Sequence, residues 1–185
     1  MPISDLVSIT TLIALAVVFA LIYRKLIGIT SEVKHTREIL AAELERSEFR
    51  LYRQIEALQA LTSLLGLRKP LPAMRGWAGS PDFLLEVCQE VLHRRPDRIV
   101  ECSSGVSTLI AARCCQLNGA GHVFSLENAP EFAHKTRQLL EREGLQEWAT
   151  VIDAPLIQHS LGGMAYKWYT LDRLPPGPID MLVVD

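Results

Sequence analysis

Arg98-Ile99-Val100-Glu101-Cys102-Ser103-Ser104-Gly105-Val106-Ser107-Thr108-Leu109 is the stretch on which the fold turns. Ile99 and Val100 are β-branched and apolar, so the segment begins as a short buried strand. Glu101 sets a carboxylate where that strand runs out. Ser103, Ser104, Gly105 and Ser107 keep the following turn narrow enough for a ligand to lie against backbone N–H groups at a helix N-terminus. Taken alone, the same residues also describe an ordinary strand-to-helix connection with one Gly at positive φ. The flanking segments decide between the two.

Downstream, a helix from about Ser107 to Leu117 is stopped by Gly119 and Gly121, and His122 to Glu127 reads as a second strand that again ends on an acid. Asn128 is placed to cap a helix opened by Pro130, which runs to Glu143 and stops at Gly144. Ala149 to Asp153 is a third strand, Ala154 to Pro178 a long loop, and Ile179 to Asp185 a fourth strand. Upstream, Ser80-Pro81-Asp82 is a helix start with Ser as N-cap, followed by an apolar face of Phe83, Leu84, Val87, Cys88, Val91 and Leu92. Strands alternating with helices imply right-handed βαβ units and a parallel sheet, with ligands beyond the carboxyl ends of the strands. Glu101, Glu127, Asp153 and Asp185 all fall at that edge. Carboxylates there suit ribose hydroxyls, an exocyclic amine or a positive charge, because they accept hydrogen bonds from all three.

The first part of the chain is different in kind. Leu6 to Tyr23 carries no charge and, as a helix of about 18 residues, spans about 27 Å, close to the roughly 30 Å of bilayer hydrocarbon. A cleaved signal peptide would show positive charge before the apolar run and small residues after it; here Asp5 precedes, and Arg24 and Lys25 follow. The reading is an uncleaved anchor over 1–28, and Arg24, Lys25, Lys34 and Arg37 place the N-terminus outside and the remainder in the cytoplasm. Residues 29–66 read as a long helix. Leu44, Leu51, Leu58 and Leu65 recur every seventh residue, but Ser47, Glu48 and Gln54 interrupt the companion positions. Both a homodimeric coiled coil through 30–65 and a single amphipathic helix packed on its own domain fit that pattern. Residues 67–79 form a linker that Pro70 and Pro72 mark out from the domain at 80–185. The four cysteines, Cys88, Cys102, Cys114 and Cys115, lack metal-ligand spacing and read as reduced, buried thiols. A net charge of −2 offers nucleic acid no electrostatic pull.

From about Leu71 to Asp185 the chain resembles the class I S-adenosylmethionine-dependent methyltransferases, in a bacterial O-methyltransferase-like subgroup. Their first strand ends in an acid-x-Gly-x-Gly motif, which Glu101-Cys102-Ser103-Ser104-Gly105 matches except at Ser103. The resemblance implies an α/β, Rossmann-like parallel sheet. It implies that the Ser103 to Ser107 backbone, through Gly105, cradles the methionine part of S-adenosylmethionine, with Glu101 holding its amino group through the loop. Glu127 would take the ribose hydroxyls, Asp153 with Ala154 would face the adenine amine, and Asp185 would stand beside the transferred methyl as the catalytic base. Leu71 to Phe83 is similar to an entrance segment in which Arg75 and Trp77 line the cofactor mouth. In catechol-type relatives an acid at the Asp185 position binds a divalent metal, whose further ligands this sequence does not supply. His159, Tyr166, Lys167 and Tyr169, in the loop after Asp153, read as surface or packing residues.

The class I sheet has seven strands and four are legible here, so the reading expects a fragment of a longer protein. It also expects retained cofactor binding, modestly weakened by Ser103. The activity implied is methyl transfer to an oxygen of a small molecule, glycan or lipid at the cytoplasmic membrane face. Two other classes remain: an inactive, membrane-anchored methyltransferase-like scaffold, and a nicotinamide-binding Rossmann protein, the latter lacking G-x-G-x-x-G after its first strand.

Overall fold

The computed structural model describes residues 3–66, 70–72, 74 and 78–184, with side chains described from residue 11 onward except residue 14. Arg75, Trp77 and Asp185 lie outside the described residues, as does much of the expected linker. The chain divides into two compact units at Leu51 and Tyr52.

The anchor and the long helix are one element, α1 (Ile3–Leu65), and Gly28 does not interrupt it. From Thr30 on, Leu, Ala, Glu and Arg favour the helix, and the hydroxyls of Thr30 and Thr36 are absorbed by Leu26 O and Glu32 O one turn back. In the first unit the apolar side chains are uncovered: Leu12, Phe19 and Ile22 are all more than half exposed. A window of 18 residues within Thr11–Leu65 reaches a mean hydropathy of 2.2, long and apolar enough to cross a membrane. Exposed pairs such as Arg50–Glu43 at 3.0 Å add little to stability.

The last turns of α1 belong to the second unit. Ala57, Leu61 and Leu65 are buried in its core, the two leucines completely, and burying each contributes about 1.5–3 kcal/mol. Arg113 Nε caps the helix end on Leu65 O at 3.1 Å, and Gln54 Oε1 accepts from the Asp82 backbone at 3.3 Å. Over this stretch the leucine seam packs on its own domain, while Leu40, Leu44 and Leu51 stay exposed.

Helix α2 (Pro81–Arg94) begins as the Ser-Pro-Asp pattern requires, with one difference. Ser80 occupies the capping position, but its hydroxyl bonds Asp82 Oδ1 instead of a backbone N–H, and Asp82 Oδ1 takes the Phe83 N–H at 3.0 Å. Then follow β1 (Arg98–Cys102), α3 (Val106–Asn118), β2 (His122–Glu127), α4 (Pro130–Glu143), β3 (Ala149–Asp153), β4 (Leu156–Leu161), β5 (Met164–Tyr169) and β6 (Met181–Val184). The residue capping α4 is Ala129, not Asn128: its N–H is drawn to Glu127 Oε1 at 3.0 Å, which shifts the helix boundary by one. The expected long loop holds a hairpin, β4–β5, closed by Gly162 and Gly163 with φ of +59° and +81°. Two adjacent positive-φ glycines are what a tight two-residue hairpin turn needs.

The main sheet is wholly parallel in the order β3-β2-β1-β6. Alternation along the strands sends Ile99, Val123, Val151 and Val183 into one core with α2, α3 and α4. Val100, Leu126 and Ile152 go to the other face, where Ala154, Phe124, Tyr169 and Leu174 cover them. Arg98 ties the sheet to the segment before β6 by donating its backbone N–H to Asp180 Oδ2 at 2.9 Å.

Candidate functional site

The β1–α3 turn is held from beneath by a buried polar network. Alternation places Glu101 on the same face as Ile99, under the first turn of α3, and the sheet register sets it opposite Ser125. Glu101 is therefore 1% exposed and does not open into the crevice as its place near the strand end implied. Its Oε2 accepts from Thr108 Oγ1 at 2.5 Å, and Thr108 Oγ1 accepts the Gly105 backbone N–H at 3.0 Å. Ser125 Oγ, 3.3 Å from Thr108 Oγ1, donates to Ser103 O at 2.5 Å, and the Ser103 N–H donates to Leu126 O at 2.9 Å. Thr108 and Ser125 are completely buried, so these bonds are made away from water.

That anchoring forces φ to +93° at Ser103, a conformation that suits glycine and costs an L side chain. A Cβ built on Gly105 would meet no atom within 4 Å. That side of the turn therefore faces open space. Ser107 is buried in the first turn of α3.

Glu127 and Asp153 stand opposite each other at the ends of β2 and β3. Glu127 is 5% exposed; Oε1 takes the Ala129 N–H at 3.0 Å, and Oε2 accepts from Ser104 Oγ at 2.8 Å. Asp153 Oδ1 pairs with Arg137 at 2.9 Å, and Arg137 also donates to Val151 O at 2.8 Å. Ala154 is fully buried and donates its N–H to Glu127 O at 2.7 Å. Glu101, Ser103, Gly105, Ser107, Glu127, Asp153 and Ala154 are thus brought to one end of the sheet. Asp185 lies outside the described residues.

Two residues there were not singled out from sequence. Thr108 and Ser125 are small hydroxyl residues inside apolar segments, which read as ordinary helix and strand positions. Tyr169, expected as a surface or packing residue, does pack, closing β5 against Val100, Leu126, Ile152 and Ala154. Burial, then the charges of Glu127, Cys102 and Glu101, push its phenol above the ordinary value, which sets it beside the acids. His159 and Tyr166 stack on each other in the hairpin at 5.6 Å.

A separate cavity of about 340 Å³, lined among others by Leu65, Leu71, Ile110, Arg113 and Leu145, touches none of the expected site residues. Among the described residues, no group of three or more His, Cys, Asp or Glu is placed to hold a metal ion.

Strand order β3-β2-β1-β6 with helices following β1 and β2 is the first half of a doubly wound sheet, and the acids lie where such sheets bind ligands. Residues 100–185 match the family model described as a methyltransferase domain. This part of the chain has the Rossmann-like parallel sheet of a methyltransferase fold and is similar to that family. No curated protein matches the chain. Among solved structures, it is similar to the O-methyltransferase TomG of Streptomyces achromogenes in complex with SAM, at 22% identity and TM-score 0.41 over 71% of this chain and 52% of that one. It is similar to a SAH-bound methyltransferase of Podospora anserina, at 21% identity and TM-score 0.38 over 52% and 40%. A Bacillus cereus O-methyltransferase in complex with SAH gives 24% identity and TM-score 0.36 over 52% and 42%. The chain therefore spans about half or less of the length of these proteins.

Proposed function

We propose that this protein transfers a methyl group from S-adenosylmethionine to an oxygen of a small molecule, glycan or lipid, at the cytoplasmic face of a membrane. The observation that carries the reading is the gathering of Glu127 and Asp153 beside a turn tied to Glu101 through Thr108. That donor set fits the cofactor: Glu127 for the ribose hydroxyls, Asp153 with Ala154 for the adenine amine, and the Ser103–Ser107 backbone for the methionine part. When bound, S-adenosylmethionine supplies a methyl already activated on a sulfonium. The protein's task is then in-line positioning and removal of the acceptor proton. Glu101, through Thr108 and Gly105, fixes the turn on which that positioning depends. Tyr169 packs on the Val100, Leu126, Ile152 and Ala154 cluster at this end of the sheet, and Asp185 is the proposed proton acceptor.

The apolar part of α1 supports tethering, and the basic residues that follow it support a cytoplasmic domain. The exposed leucines before Tyr52 leave room for a homodimer through α1, whereas Leu61 and Leu65 are committed to their own domain. A second reading, a membrane-anchored scaffold without activity, draws on Ser103 at φ +93° where the related motif has glycine. Calorimetric titration of the full chain with S-adenosylmethionine, S-adenosylhomocysteine and NAD separates the readings. Binding of the first two alone supports the methyltransferase, and no binding supports the scaffold.

A further inference from the structure

We propose that Ser104 holds the place of a ribose hydroxyl on Glu127 in the free protein, so that its release sets how tightly a nucleoside diol is taken. The inference rests on the functional reading above, since it assigns Glu127 to the ribose.

Both carboxylate oxygens of Glu127 are engaged, Oε1 by the Ala129 N–H and Oε2 by the Ser104 hydroxyl. Ser104 has one proton and gives it to Glu127. The 3.1 Å contact between Ser104 Oγ and Thr136 Oγ1 therefore has Thr136 as its donor. The result is a one-way chain, Thr136 to Ser104 to Glu127, in which each donation polarises the next. Glu127 is 5% and Thr136 4% exposed, so the serine hydroxyl occupies Oε2 in a place largely shielded from water.

Backbone movement is not needed to open the site. Ser103 on one side is pinned to Leu126 and Ser125, and Gly105 on the other is pinned to Thr108. Rotation about the Ser104 Cα–Cβ bond moves the hydroxyl off Oε2 and leaves that oxygen for a ligand. A bond made only in the free protein lowers apparent affinity, because the binding-competent state is a fraction of the whole. Ser104 is thus a positioning residue that competes with the ligand.

The sign of the effect distinguishes this from structural support. In Ser104→Ala the free protein keeps a buried carboxylate oxygen short of a partner, so its thermal midpoint falls by a few degrees. S-adenosylhomocysteine, which restores that partner, binds roughly three- to tenfold more tightly by titration calorimetry. Adenosine gains in the same way, and a dideoxyadenosine lacking both ribose hydroxyls does not. Ser104→Thr restores wild-type midpoint and affinity, and Thr136→Val moves both in the direction of Ser104→Ala by a smaller amount. Equal or weaker binding of S-adenosylhomocysteine by Ser104→Ala, with the wild type binding normally, overturns the inference and leaves the functional reading standing. No binding by either protein overturns both.

Discussion

Thr108 Oγ1 lies 2.5 Å from Glu101 Oε2 and accepts the Gly105 N–H at 3.0 Å, so one threonine couples the acid of β1 to the turn above it. Thr108→Val keeps the shape and removes both bonds. The expected result is a loss of about 1–3 kcal/mol in urea unfolding, the cost of leaving a buried acceptor unmade. Weaker S-adenosylhomocysteine binding accompanies it, because the turn loses its tie to the helix.

Ser103 has φ of +93° at the position where related motifs carry glycine. Ser103→Gly removes the strain of a side chain at positive φ, about 1–2 kcal/mol, and gives back about 0.4–1 kcal/mol through the freer unfolded chain. A small net stabilisation, up to about 1 kcal/mol by chemical denaturation, is expected. Ser103→Val shifts the midpoint the opposite way, since a β-branched residue tolerates positive φ least.

Gly121 precedes β2 at φ +89°, and a Cβ there would strike Pro96 O and come within 3.2 Å of Cys115 Sγ. Backbone on one side and a buried thiol on the other leave no cheap relaxation. Gly121→Ala is expected to cost more than about 2 kcal/mol, while Gly119→Ala, with no atom within 4 Å of its Cβ, pays only for positive φ. Paired thermal unfolding of the two variants checks this.

Burial pushes the Cys115 thiol from 9.0 up to about 11. Its folded-state value is raised, so the protonated form is favoured in the fold and the stabilisation is complete below pH 9. Between about pH 9 and 11 the unfolded chain releases this proton while the fold retains it, and stability falls. Unfolding measured across that window is expected to decline less steeply in Cys115→Ala than in the wild type. All four cysteines are free and buried, and thiol-specific labelling at neutral pH is expected to become rapid only on unfolding.

The sheet was legible because its signals are local. β2, α4 and β3 follow from Pro130, Gly144 and short, largely apolar segments that end on an acid, and their bounds agree with the structure. The hairpin was not, because Leu156 to Tyr169 alternates poorly and sits between prolines, so only the Gly162-Gly163 pair marked it. At the site, the acids were legible as strand-end residues. Their environments were not, since the partners of Glu101 and Glu127 are hydroxyls seven and 23 residues away that meet only when β2 pairs with β1 and α3 folds back.

The central claim is that the acids at the carboxyl end of this sheet hold S-adenosylmethionine. Titration of S-adenosylhomocysteine into the full chain and into Glu127→Gln tests it most directly, since the substitution keeps the shape and removes the charge that accepts the ribose hydroxyls. The account predicts saturable binding to the wild type, weakened roughly tenfold or more in Glu127→Gln, in keeping with the 1.5–3 kcal/mol, or about that, of a hydrogen bond to a charged group. Absence of binding by the wild type, or equal binding by the two proteins, would contradict it.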